Sequence, residues 1–221
     1  FNVSEEEVKP YFELSRVTRG IFDLAHALYG LSFSESGEYP VYHPEVKVFE
    51  VHDENGEFLS LLYLDFFPRK GKQGGAWMTD FRGQSNIGHE NVRPHVSIVC
   101  NFTRPTERKP SLLTFNEVHT FLHEFGHALH GMLSECTYPS VSGTNVYRDF
   151  VELPSQIMEN WLTEKEWLEN VAVHYESGEK IPDSLVDKLI AARNFQAGYA
   201  SERQLSFGFN DMAWHSIDKP F

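Results

Sequence analysis

Hydrophobic and polar positions change their period several times along this chain. Leu14, Val17, Ile21, Leu24, Ala25 and Leu28 recur at three- and four-residue steps before Gly30, which predicts an amphipathic helix. Ahead of it, Ser4 and Glu7 have the spacing of a capping box, but Pro10 stops any helix that starts there. From Val46 to Val51 and from Phe58 to Phe67, β-branched and aromatic residues flank Asp53-Glu54-Asn55-Gly56, the signature of an antiparallel hairpin. Ala76 to Phe81 and His95 to Phe102 read as two further strands, reached through the glycine-rich turn Pro68 to Gly75 and the polar stretch Gln84 to Pro94. Four strands are thus expected before the helical period returns.

It returns behind Thr114-Phe115-Asn116-Glu117, which has the T-x-x-E capping form, with Phe115, Val118, Leu122, Phe125 and Leu129 as an apolar stripe. Tyr138 to Asn145 reads as a loop. A second helix is predicted from Tyr147 to Leu168, with Phe150, Leu153, Ile157, Trp161 and Leu162 on its apolar side and Pro154 near its first turns or at a kink. A third carries Leu185, Leu189, Ile190 and Phe195, and a fourth, Tyr199 to Trp214, is expected to be interrupted at Gly208. No internal repeat is visible. These elements put the chain in the α+β class.

Composition narrows the function. The 221 residues, 41% hydrophobic, are enough for one sizeable core or two small ones. With 19 basic residues against 32 acidic ones the net charge is -13, which disfavours nucleic acid and anionic membranes, and the basic cluster from Arg104 to Lys109 reads as a solvated loop. Two cysteines, Cys100 and Cys136, cannot build a disulfide scaffold, so a reducing, cytoplasmic setting is expected, with the periplasm as the alternative. No apolar run reaches membrane-spanning length and no signal-peptide order opens the chain. Because it opens on Phe1 and stops at Phe221 just past a helical pattern, the chain is expected to be part of a longer one.

The chemistry concentrates in His123-Glu124-Phe125-Gly126-His127. Two histidines four positions apart on a helix lie about 40° apart around its axis, so both imidazoles reach one ion. Glu124 points to the same side without reaching the metal, which leaves it to hold a water as general base. His119 and His130 are expected to be structural or to support the pair, and His26 to be a satisfied boundary histidine. His89-Glu90 is a decoy, since Arg93 stands where the second histidine would be.

Zinc held by two neutral histidines needs another protein ligand and an open position for water. Glu152, 25 residues after His127 on the next predicted helix, is the best candidate. Asp149, Gln156 and Glu159 share its face, so some of them can orient ligands. The apolar neighbours Phe150, Val151 and Leu153 predict that Glu152 is buried and partnered. A third histidine six positions after His127 is excluded by Leu133, and Met158-Glu159-Asn160, an M-E-N sequence lying downstream of the zinc helix, reads as coincidence.

Phe121-Leu-His-Glu-Phe-Gly-His-Ala-Leu-His130, Ser142-Gly-Thr-Asn145, Arg148-Asp-Phe-Val-Glu-Leu-Pro-Ser-Gln156 and Glu159-Asn-Trp161 together resemble the thimet oligopeptidase family of zinc peptidases. Gly74-Gly-Ala-Trp-Met78 and Val99-Cys-Asn-Phe102 extend the resemblance over nearly the whole chain, and its dipeptidyl carboxypeptidase branch is the most similar, with oligopeptidase A second. The resemblance implies a predominantly helical, zincin-like catalytic core over residues 1–221 with a small mixed sheet beside the helix that starts at Thr114, one Zn2+ held by His123, His127 and Glu152, and Glu124 as catalytic glutamate. It implies short peptide substrates, with release of C-terminal dipeptides or endo-acting cleavage, and favours a monomer. A non-catalytic zinc-binding or scaffold domain is the reading from another class. The family's transition-state-stabilising tyrosine and histidine segment is expected beyond Phe221, and its channel-walling helices before Phe1.

Overall fold

A computed structural model describes residues 3–218. Ser4 and Glu7 close a full capping box on α1 (Glu5–Val8), and a 3-10 turn containing Pro10 separates it from α2 (Leu14–Tyr29). Glu13 accepts the N–H groups of Ser15 and Arg16 at the start of α2, and Gly30 ends it in the left-handed conformation, φ 70°. The predicted stripe is buried from Leu14 to Ala25, whereas Leu28 faces solvent. His26 is satisfied by the Leu31 carbonyl at 3.1 Å.

The sheet has five strands, one more than the pattern predicts: β1 (Ser32–Glu35), β2 (Lys47–His52), β3 (Phe58–Asp65), β4 (Trp77–Arg82) and β5 (His95–Val99), in the order β1-β2-β3-β5-β4. The strand missed, β1, is a short and mostly polar edge. It has no hydrophobic alternation to announce it. β2 and β3 form the predicted hairpin, with Phe49 opposite Leu62 and Val48 opposite Tyr63. β3 and β5 run parallel, so the sheet is mixed, and β4 pairs antiparallel to β5 at the edge.

Central β3 is covered on both faces. Leu61 and Tyr63 join Val46, Val48 and Tyr39 on one side. Toward the helices, Phe22 of α2 stacks on Phe33 at 4.1 Å and meets Phe49 edge-on. These rings prefer offset or edge contacts because their faces are negative and their edges positive.

α3 (Phe115–Met132) lies against β3, β4 and β5. Thr114 and Glu117 form the predicted capping box, with reciprocal bonds of 2.7 and 3.0 Å. Val118, Phe121, Leu122 and Phe125 are fully buried, and Phe121 packs edge-on to Phe66 at 5.0 Å. At the other end, the Arg93 guanidinium donates to the carbonyls of Met132 (2.7 Å) and Ser134 (3.1 Å), placing positive charge at the negative end of the helix dipole.

The predicted helix from Tyr147 to Leu168 is broken into α4 (Arg148–Val151), α5 (Leu153–Glu159), a 3-10 turn and α6 (Lys165–Val171). Pro154 explains the first break. Lacking an N–H and colliding with the carbonyl four residues back, it is tolerated only in a helix's first turn, and here it stands at the second position of α5. Glu152 is the junction between α4 and α5. The apolar side is corrected in part: Phe150, Leu153 and Ile157 are exposed and Ser155 and Met158 face inward, while Leu162 is buried as expected. α6 packs on α2, where the Trp167 indole donates to the Gly20 carbonyl at 3.1 Å.

Residues 4–181 form one compact unit, and the segment from Pro182 onward, with Val3, forms another. The latter contains α7 (Asp183–Arg193) and α8 (Ala197–His215). α8 runs unbroken through Gly208, contrary to expectation. One glycine costs only about 1 kcal/mol in a helix, too little to end a 19-residue run. Tyr199, Leu205, Phe207, Phe209 and Met212 on α8 are exposed. No helix among the described residues is long and apolar enough to cross a membrane.

Candidate metal centre

α3 carries His123, Glu124 and His127, with Phe125 and its neighbours fixing the helix against the sheet. Gly126 does the corresponding work on the other side. A Cβ there would lie 2.5 Å from both the Pro154 carbonyl oxygen and the Ser155 Cα. Only a residue without a side chain lets the α5 backbone come this close, and that approach sets Glu152 over the two histidines. The motif's second variable position is therefore filled for packing.

The Nε2 atoms of His123 and His127 stand 3.3 and 3.1 Å from the same oxygen, Oε2 of Glu152. One donor atom from each residue lies within 4.8 Å of the others. Ligands of a tetrahedral zinc, each about 2.0–2.1 Å from the ion, stand about 3.3 Å apart. The donor set fits such an ion. His127 carries a second sign: burial pushes its pKa down, so it stays neutral as a ligand must. The Ser155 hydroxyl, 2.7 Å from Glu152 Oε2, leads the interactions that hold the Glu152 carboxyl below its usual range against the upward push of burial.

The expectation that Glu152 is buried is corrected. Its side chain is 48% exposed, because Phe150 and Leu153 turn outward beside it. Apolar sequence neighbours do not bury a residue at a helix junction, where the face changes. Glu124 is the buried carboxylate instead, only 6% exposed. Burial pushes its pKa up, His123 opposes this, Glu152 adds to it, and the Met78 backbone N–H on edge strand β4 lowers it again. It is therefore a proton acceptor of raised basicity beside the donor cluster.

Of the three residues that share the Glu152 face, Glu159 reaches a site histidine: its Oε1 is 2.7 Å from His123 Nδ1. Its Oε2 is 3.2 Å from His119 Nε2. The M-E-N sequence read as coincidence thus contributes a site contact. Among the described residues, His127 Nδ1 and His130 Nδ1 are buried without a hydrogen-bond partner, and the His130 ring meets Phe150 edge-on. Sequence reasoning missed Ser155, Met78 and the packing role of Gly126. Only Gly126, a residue without a side chain between the two histidines, carried any signal.

The profile of Peptidase family M3 matches residues 1–220. The chain is 44% identical over 220 residues to dipeptidyl carboxypeptidase of Escherichia coli, covering 99% of this chain and 32% of that protein. It is 43% identical over 222 residues to oligopeptidase A of Escherichia coli, covering 100% and 33% respectively. Organellar oligopeptidase A (chloroplastic/mitochondrial) of Arabidopsis thaliana is 42% identical over 223 residues, 98% of this chain and 28% of that protein. The chain spans about a third of the length of the curated relatives it matches.

Proposed function

The chain belongs to Peptidase family M3, and from that premise we propose that it is the catalytic core of a zinc-dependent peptidase acting on short peptides. The observation that carries the proposal is the convergence of His123 Nε2, His127 Nε2 and Glu152 Oε2 beside a buried, unligated Glu124. His123, His127 and Glu152 hold the metal. When bound, zinc supplies Lewis acidity, lowering the pKa of water toward about 7 and polarising the scissile carbonyl.

Glu124 takes a proton from the attacking water as its oxygen bonds to the carbonyl carbon. As the C–N bond breaks, it returns that proton to the leaving nitrogen, so the carboxylate ends the cycle as it began. Burial favours the first half by raising its proton affinity, and the strongly basic leaving nitrogen draws the proton back in the second. A purely structural metal site has no use for a buried carboxylate in this position.

For the mode of cleavage we propose release of C-terminal dipeptides, supported by the likeness to the dipeptidyl carboxypeptidase. In the natural full-length polypeptide, Glu124→Gln should leave zinc stoichiometric while lowering kcat by about 10²–10⁴. Near-normal hydrolysis overturns the assignment. A peptide blocked at its C-terminus separates the modes: unimpaired cleavage removes dipeptide release and leaves endo-acting cleavage.

A further inference from the structure

The two site histidines are held unequally. Among the described residues, His127 Nδ1 is buried with no hydrogen-bond partner, whereas His123 Nδ1 lies 2.7 Å from Glu159 Oε1. The second oxygen of the same carboxylate, Oε2, is 3.2 Å from Nε2 of His119, one turn before His123 on α3. Glu159 closes α5 and its side chain is only 16% exposed, so the carboxylate at the middle of the bridge is largely withdrawn from bulk water.

An ionised carboxylate only accepts hydrogen bonds. The imidazole nitrogens facing Glu159 must therefore carry the protons: Nδ1–H on His123 and Nε2–H on His119. With its proton fixed on Nδ1, neutral His123 has a bare Nε2, and that is the atom directed at Glu152. An unconstrained imidazole favours the opposite form, with the proton on Nε2, which cannot bind a metal there.

We propose that Glu159 is a positioning residue shared by two histidines: it sets the tautomer and ring orientation of His123 for metal binding, while His119 holds its second oxygen in place. The inference rests on the proposed metal site. His123 is the ligand oriented from both ring nitrogens, and His127, met by Glu152 at Nε2 alone, is the adaptable one. The α3–α5 contact consequently transmits more than packing, since α5 supplies a ligand from the residue before its first turn and the orienting carboxylate from its last.

The test uses the natural full-length polypeptide stripped of metal, with Glu159→Ala, Glu159→Leu and His119→Ala. Long-range ¹⁵N–¹H spectra of the apo protein should show His123 protonated on Nδ1, and Glu159→Ala should return it to the Nε2–H form. Zinc dissociation constants from chelator competition should rise by about 10- to 100-fold in Glu159→Ala, with a smaller rise in His119→Ala. A tie that merely joins the helices would lower stability without moving the tautomer. Wild-type zinc affinity with an unchanged His123 tautomer in the Glu159 variants overturns the inference and leaves the metal site standing. Failure of the wild type itself to bind zinc overturns the metal reading, while the tautomer spectra still decide what Glu159 does. Where Glu159→Ala does not fold, Glu159→Leu, which keeps the bulk and accepts no hydrogen bond, carries the same comparison.

Discussion

The two elements that build the candidate metal centre are made in opposite ways. α3 sits in a dry seam, with Phe121, Leu122 and Phe125 fully buried against the sheet. α4 and α5 turn Phe150, Leu153 and Ile157 outward and hold Glu152 at a break between them. Both histidines thus stand on a helix that packing makes rigid, and the carboxylate stands at a break in one whose backbone closes on Gly126 and whose inward side chains are Ser155 and Met158. Precision on the sheet side comes from volume, and on the other side from a missing side chain and a few polar contacts.

The comparison is broken most severely by equalising the two sides. Phe125→Ala should cost about 3–5 kcal/mol, the usual range for emptying a fully buried aromatic site. Ile157→Ser, at a 49% exposed position, should stay within about 0.5 kcal/mol. Urea denaturation of both variants measures the contrast; equal losses would mean that α5 is as firmly packed as α3. Next comes the ligand on the exposed side. Structural zinc sites with four protein ligands bind with about 10–16 kcal/mol, about 3 kcal/mol per ligand, so at the proposed three-residue site Glu152→Gln should forfeit about 3 kcal/mol, roughly a hundredfold in affinity by chelator competition.

Gly126→Ala joins the two sides in one substitution. Helix propensity alone would favour alanine by up to about 1 kcal/mol. The new Cβ meets backbone atoms at 2.5 Å, which cannot yield as a flexible side chain would. Overpacking should therefore win, with a net loss of about 1–3 kcal/mol. Because α5 must retreat from α3, zinc affinity should fall with stability. A stabilised variant with unchanged affinity would show that the close approach is not what positions Glu152.

The same division governs what the sequence discloses. Signals that act within a few residues are legible: the Thr114 capping box, the Gly30 stop, the Asp53 to Gly56 hairpin and the spacing of His123 and His127 all have their predicted structural counterparts. Glu152 was found by separation along the chain and is brought to the histidines. Its expected burial failed because Pro154 breaks the helix and changes which face looks inward. β1 has no hydrophobic alternation, since it is an edge completed by pairing with β2. Glu159 was one of three equivalent candidates on a helical face; only the α3–α5 packing brings its carboxylate to His123. The family assignment was legible because it rests on residue strings, which need no tertiary information.

The smallest predicted effect lies at the end of β3, where the sheet side is anchored by charge as well as volume. Asp65 is 2% exposed and receives Arg69 through two bonds of 2.8 and 2.9 Å, Lys72 at 2.9 Å and the Tyr42 hydroxyl at 2.9 Å. Burial alone would push its carboxyl up, but these donors together hold it below the usual range. A carboxyl depressed in the folded state contributes stability above its unfolded pKa of about 3.9, and that contribution is lost as pH falls toward the folded value. Tyr42→Phe removes one donor and leaves the two cations, so it should cost about 1 kcal/mol at pH 7. Below the folded pKa the carboxyl is neutral in both states and the tyrosine stabilises no charge, so the penalty should shrink on acidification. Urea denaturation of wild type and variant from pH 7 downward measures this convergence. A penalty independent of pH would mean that Tyr42 contributes by packing against Phe81 and not through the Asp65 charge.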